Sequence, residues 1–240
     1  MAINLKKLQA TARRRLKLNR PVEWNLVSLS EPFPQGSGYL LTRTNPTGHV
    51  ISYFDASSLE QVDVFHELCK VKLNELGFST IERAALDAMR ECSKNDPNYI
   101  RDANSAATIV IETCANSLLF SAFPEESRAQ RERIVLRFES TDALITLHTE
   151  MGFWGTAGVC YFKAASANSG TPFPQDLIEK AIERASDGPE IKKEYDVVNS
   201  LLEELPKIDP SLERLADQDS VKIIDVMLRL FQAKTGLECE

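Results

Sequence analysis

The chain has 240 residues, of which 43% are hydrophobic and 26% are charged, and its formal net charge is −7. This length can bury a core in one large or two small domains, and the composition is ordinary for a soluble globular protein. We find no apolar run near the ~20 residues of a membrane span, and residues 1–20 lack the apolar segment of a secretory signal. These features predict a cytoplasmic protein that does not contact a membrane.

The cysteine pattern leads to the same expectation. The five cysteines are scattered, their number is odd, and no two have CxxC spacing. Such a pattern favours reduced thiols in a cytosolic chain over a disulfide framework or a cysteine-based zinc site.

The negative net charge conceals a basic N-terminus. Residues 1–20 hold seven Lys and Arg residues and no acid, so the remaining chain holds 21 basic against 35 acidic residues. Such an arm can contact phosphates or an acidic surface, although charge alone specifies little. The favoured interpretation is a solvated helical arm over residues 1–21 that packs on the acidic body, with nucleic-acid contact as the alternative.

The first predicted element in chain order is a helix over residues 1–19, which Pro21 ends. Alternating or apolar runs predict short strands at 23–30, 39–43 and 49–54. The sequence NPTG at 45–48 predicts a tight turn between the last two, so we expect a small meander.

Helical patterns dominate the rest of the chain. The pairs Ser57/Glu60 and Ser79/Glu82 have capping-box spacing and open the first two helices. Residues 152–158 (GFWGTAG) predict a glycine-rich loop that could line a cleft or simply pack. The fold class is therefore α+β, mostly helical with one small N-terminal antiparallel or mixed β-sheet. The predicted helices are at about 59–76, 79–93, 103–122, 125–138, 142–151, 175–186, 189–204 and 219–235.

The sequence HELCK at residues 66–70 carries the clearest functional signal. In an HExxH helix, two histidines four residues apart share one face and grip zinc, and the intervening glutamate acts as general base. His66 and Glu67 match this pattern, whereas Lys70 stands where the second histidine belongs. A protonated ammonium has no lone pair to offer a metal.

A second candidate group lies on the helix predicted at 103–122. Glu112 is the one charged residue in the run 104–120, and Asn116 follows one turn later on the same face. A buried carboxylate is costly unless it is paired or binds a metal. Glu112 therefore needs a partner, which could be a site residue, backbone at a helix end, or one of Arg101, Arg128, Arg131 and Arg133.

The run VFHELCKVKLNELGF resembles the active-site helix of HExxH zincins, in particular the small gluzincins of the anti-repressor and radiation-response protease type. The resemblance covers about residues 38–123. It implies a zincin-like core over residues 22–168 and a C-terminal helical region over 169–240. It also implies that His66 and Glu112 are zinc ligands, that Glu67 is the catalytic base, and that Asn116 supports the third ligand.

Lys70 leads to two alternative expectations for the function. With Lys70 in the second ligand position, its ammonium would point at Glu112 and replace the metal charge, which gives a metal-free or impaired zincin-like protein. The alternative is a non-catalytic regulatory module that binds a protein or peptide in the former substrate cleft. Cys69 could instead supply a thiolate ligand, and His49 and His148 are more simply structural.

Overall fold

The structure is a computed structural model that describes residues 3–27, 40–45, 47–53, 59–140, 143–168, 175–184 and 188–239. Its described part is mostly helical with one small sheet, which confirms the predicted α+β class. The predicted cap at Ser57 lies outside the described residues.

The sheet consists of strands β1 (Val22–Leu26), β2 (Leu40–Asn45) and β3 (Gly48–Tyr53) in the order β1-β3-β2. β3 runs parallel to β1 and antiparallel to β2. The predicted meander is therefore wrong, because a meander would place β2 in the centre. β3 carries the fully buried Ile51 and the buried His49, whereas the described side chains of β2 are half-buried or exposed, as suits an edge strand.

The described residues also form ten α-helices, the second of which packs on the sheet through β2. The first four, α1 to α4, span Leu5–Leu16, Gln61–Glu75, Phe78–Cys92 and Ile100–Ala122. The next three, α5 to α7, span Arg128–Ser140, Ala143–Met151 and Phe153–Asn168. The last three, α8 to α10, span Gln175–Arg184, Gly188–Glu203 and Asp217–Thr235.

The starts of α2 and α3 differ from the predicted ones. Glu60 and Asp63 form the capping box of α2, so the acceptors are carboxylates at the helix start itself. Gly77 precedes α3 at φ 102°, a left-handed conformation in which glycine lets the chain turn directly from α2 into α3. The predicted cap at Ser79 is therefore wrong, since Ser79 lies within the first turn of α3.

The packed centre of the fold is formed by α2 and α4. Phe65 on α2 stacks on Phe123, just beyond α4, with ring centroids 4.1 Å apart. α7 and α10 pack on other sides of α4, and α10 also packs on α3. The segment 97–122 is long and apolar enough to cross a membrane, but 61% of its most apolar window is buried in the fold, and buried core helices meet the same criterion.

Two cysteines contradict the expectation of reduced thiols. Cys92 at the end of α3 and Cys239 near the C-terminus form a disulfide across 147 residues of sequence. Cys69, Cys114 and Cys160 are free and buried. Disulfides are rare in cytosolic proteins, so the cytoplasmic location stays a prediction.

The basic N-terminal helix α1 is fixed to the body at both its middle and its end. Ala12 and Leu16 are fully buried, and α1 packs on α2. Beyond the helix, the backbone N–H groups of Asn19 and Arg20 donate to the Glu75 carboxylate at 2.7–3.0 Å. The arm is thus a packed helix at the C-terminal end of α2.

Residues 152–158 form the start of helix α7 and not the predicted glycine-rich loop. Only Gly152 has a positive φ, and it separates α6 from α7. Gly155 is required by packing, because a Cβ built there would lie 2.0 Å from the carbonyl oxygen of Leu147 on α6. Glycine therefore lets the backbones of α6 and α7 approach each other closely.

The close approach of α6 to Gly155 predicts that Gly155→Ala destabilises the protein by about 1–3 kcal/mol, because the backbone must move to relieve the clash. Gly158→Ala is the matched control on the same helix, because its added Cβ would meet nothing within 4 Å. The higher helix propensity of alanine should leave Gly158→Ala neutral or more stable by up to ~1 kcal/mol. Urea unfolding of both variants measures the difference, and equal stabilities would contradict the close approach.

Candidate functional site

Helices α2 and α4 bring the sequence-predicted residues together on one side of their contact. α2 carries His66, Glu67 and Lys70 within one turn, and α4 carries Glu112 opposite them. The apolar stripe of α2, which includes the fully buried Phe65 and Leu68, holds the helix in the core. Its polar residues therefore face α4 in a partly exposed pocket.

Lys70 is the centre of this site. Its Nζ lies 2.7 Å from Glu112 Oε1 and 3.0 Å from Glu67 Oε1. The Lys70 and Glu112 side chains are 25% and 22% exposed, so both ion pairs are shielded from bulk water but remain accessible at one side. The ammonium thus bridges two carboxylates that would otherwise repel each other.

His66 completes the contacts of Glu112. Its Nε2 lies 3.0 Å from Glu112 Oε2, so each carboxylate oxygen of Glu112 contacts a different basic side chain. Asn116 Nδ2 donates to the backbone oxygen of Glu112 at 2.9 Å and lies 3.4 Å from His66 Nε2. Asn116 therefore lies beside the pair, as its position one turn beyond Glu112 predicts. Among the described side chains, which do not include that of Arg133, Glu112 forms no ion pair with an arginine.

Both oxygens of Glu67 are also engaged. Oε1 contacts Lys70, and Oε2 accepts a hydrogen bond of 2.6 Å from the Thr42 hydroxyl on β2. Glu67 is 6% exposed, which makes it the most enclosed of the charged groups in this site. Contacts to both oxygens hold the carboxylate in one orientation.

The electrostatics of the network follow from these contacts. Burial alone would raise the pKa of Glu112, but the hydrogen bond and charge of His66 and the charge of Lys70 lower it to about 2. Burial would lower the pKa of Lys70, yet Glu67 and Glu112 outweigh this effect and raise it above its ordinary value. Lys70 is therefore a firmly protonated cation at neutral pH.

These residues do not fit zinc. A zinc ligand set needs nitrogen and oxygen atoms about 2.0–2.2 Å from the metal, and a protonated lysine can supply none. The Lys70 ammonium already contacts both carboxylates and would repel a divalent cation. Among the residues that the structure describes, no group of three or more His, Cys, Asp or Glu side chains has an arrangement that could hold a metal ion.

The remaining candidates lie apart from the network or are closed to chemistry. Cys69 is fully buried, and burial together with the charge of Glu67 raises the pKa of its thiol well above its ordinary value, so it is not a thiolate. His49 is buried between Thr44 and Glu75 at the far end of α2. His148 lies 3.2 Å from Glu194 and 3.1 Å from the Thr156 hydroxyl.

Sequence reasoning missed two neighbours of the site. Thr42 reaches Glu67 because β2 is the strand that packs on α2, which depends on the sheet order. Tyr161 on α7 is close enough for the Glu112 charge to add to burial in raising the pKa of its phenol. Because the sequence predicts a loop at 152–158, it does not predict the helix α7 or the position of Tyr161 on it.

Comparisons with protein-family models, curated proteins and solved structures yield no match for this chain. The functional argument therefore depends on the geometry of the site.

The lowered pKa of Glu112 predicts a pH-dependent stability. A carboxyl group with a depressed folded-state pKa adds stability above its unfolded pKa of ~4.3, and this contribution is lost as the pH falls toward the folded value. At pH 7, Glu112→Gln should lower the free energy of unfolding by on the order of 2 kcal/mol. The difference from wild type should shrink steadily below about pH 5.

Glu82 on α3 provides a control of opposite sign, because burial raises the pKa of its carboxyl. Its charged form disfavours folding, so Glu82→Gln should be neutral or stabilising at pH 7, and this effect should also fade in acid. Urea unfolding of the three proteins between about pH 3 and pH 7 measures the curves. If the loss of unfolding free energy in Glu112→Gln does not change with pH, this result would contradict the ion pairs of Glu112.

Proposed function

We propose that this chain is a metal-free, zincin-like protein that binds a protein or peptide segment and does not hydrolyse it. The observation that carries the proposal is the position of the Lys70 ammonium, which contacts both Glu67 and Glu112. In the resemblance to HExxH helices, these carboxylates are the base and a metal ligand. Here the lysine supplies the positive charge that balances them.

The state of Glu67 supports a non-catalytic role. A general base must reach the proton that it removes, directly or through one water molecule. The contacts of Glu67 with Lys70 and Thr42 use both of its oxygens, and the side chain is almost enclosed. The same contacts hold β2 against α2 and stabilise the shape of the pocket without metal.

The free edge of β2 supports binding of an extended segment. Among the described strands, β2 pairs on one side only, with β3. Its outer edge lies beside the pocket, because Thr42 contacts Glu67 from this strand. An extended peptide can add to such an edge through main-chain hydrogen bonds, with its side chains directed alternately toward the pocket.

A groove along α4 offers further contact area. It has a volume of about 860 Å³ and is lined by residues that include Ile100, Arg101, Thr108, Met151 and Trp154. Ile100 and Met151 are about half exposed, at 48% and 51%. Thr108 precedes Glu112 by one helical turn, so the groove runs along α4 toward the charge network.

Metal analysis of two variants tests the proposal. Wild-type protein expressed with ample zinc should contain less than ~0.1 zinc per chain, and a chelator should leave its melting temperature unchanged. Lys70→His supplies the missing imidazole and should bind zinc in stoichiometric amounts, with a melting temperature that then falls on chelation. Lys70→Gln is the matched control, since it removes the charge without adding a ligand.

Stoichiometric zinc in the wild-type protein would overturn the metal-free assignment. A Lys70→His variant that stays metal-free would show that position 70 is not a ligand position, and the zincin-like interpretation would then fail as well.

A further inference from the structure

The exposed side of α1 forms a continuous basic face. Four exposed cations lie on the first and third turns of α1, and a fifth is the C-cap residue that follows the helix: Lys6, Lys7, Arg13, Arg14 and Lys17. At 1.5 Å per residue this face is about 16 Å long. The only other residue between them on this side is the small Ala10.

One of these cations, Lys17, interacts with the acidic body, where its charge contributes to lowering the pKa of Asp209. Among the described residues, none of the five side chains forms an ion pair. Arg15 on the same helix behaves differently, because it pairs with Glu126 at 2.9 Å and also donates to the backbone oxygen of Ala122. The structure therefore separates one structural arginine from five unpaired cations.

The opposite side of α1 is already used by the fold. Ala12 and Leu16 are fully buried, and Leu5 and Leu8 pack against the core. A helix that binds in a membrane surface inserts its apolar side among the lipids. α1 cannot do so without leaving the protein, so its basic face acts by electrostatics alone.

We propose that the basic face of α1 docks on the phosphate backbone of nucleic acid. Protein–protein interfaces need a desolvated core, are enriched in aromatic residues and are depleted of lysine, and this face lacks such a core. Phosphate contacts need only cations at regular spacing, and a face of about 16 Å exceeds the ~12 Å width of a major groove. Because half or more of protein–DNA hydrogen bonds go to phosphate and sugar, we expect these cations to contact mainly the backbone and to bind with little dependence on nucleotide sequence.

The charge of the rest of the chain fixes the orientation of this contact. Beyond residue 20 the chain carries 21 basic and 35 acidic residues, so other surfaces are repelled by phosphates. We therefore expect α1 to be the surface through which the chain contacts phosphates.

The experiment measures anisotropy of a fluorescent duplex DNA of about 20 base pairs at about 50–200 mM salt. The full wild-type chain should bind with a slope of log K against log salt near −4 to −5, as five neutralised phosphates require. A double variant with Arg13→Gln and Arg14→Gln should reduce the slope by about 2. Arg15→Gln is the matched control and should leave the slope unchanged, since Arg15 is already paired.

Three results would overturn the proposal. The first is no salt-dependent binding at about 50 mM salt. The second is binding that is equally weakened by Arg15→Gln and by the double variant while circular dichroism shows both folded. The third is equal or tighter binding of a poly-glutamate peptide or of anionic vesicles, which would assign the face to an acidic protein or to a lipid surface. None of these readouts depends on the metal content of the pocket.

Discussion

The bridge from Lys70 to two carboxylates is the interaction on which the arrangement of the centre depends. It joins α2 to α4, and through Thr42 it also joins α2 to β2. The two carboxylates and the ammonium stabilise one another, because removing one partner leaves a partly buried charge without its counter-charge. The contact between α2 and α4, which is otherwise largely apolar, thus contains one charged group of Lys70, Glu67 and Glu112.

The same bridge determines what the pocket can do. A catalytic carboxylate has to change its partners during a reaction, whereas Glu67 is held between a cation and a hydroxyl. The exposed side of Lys70 lies next to β2, which pairs only with β3 among the described strands. The proposed recognition of an extended segment depends on these rigid polar groups and this strand edge.

The fold class and most helix positions, with the exception of α7, could be predicted from the sequence. The pairing of Lys70 with Glu112 could be predicted as well, because a solitary charge in an apolar helix needs a partner. Thr42 could not, since its contact depends on which strand lies at the edge. The meander prediction failed because strand patterns do not encode the order in a sheet. The glycines at 152–158 suggested a loop. The structure shows instead that Gly155 lies in a helix and is needed because the backbone of α6 passes too close for a Cβ. The partners Cys92 and Cys239 are too distant in sequence to be matched by spacing.

The position of the lysine also constrains how the pocket could change over generations. Lysine and histidine codons differ at both their first and last bases, so a stepwise change between them passes through glutamine or asparagine. Either intermediate would leave Glu67 and Glu112 facing each other without the shared ammonium and without a complete ligand set for a metal. We therefore expect either intermediate to be less stable than the chain with Lys70, which favours retention of the lysine.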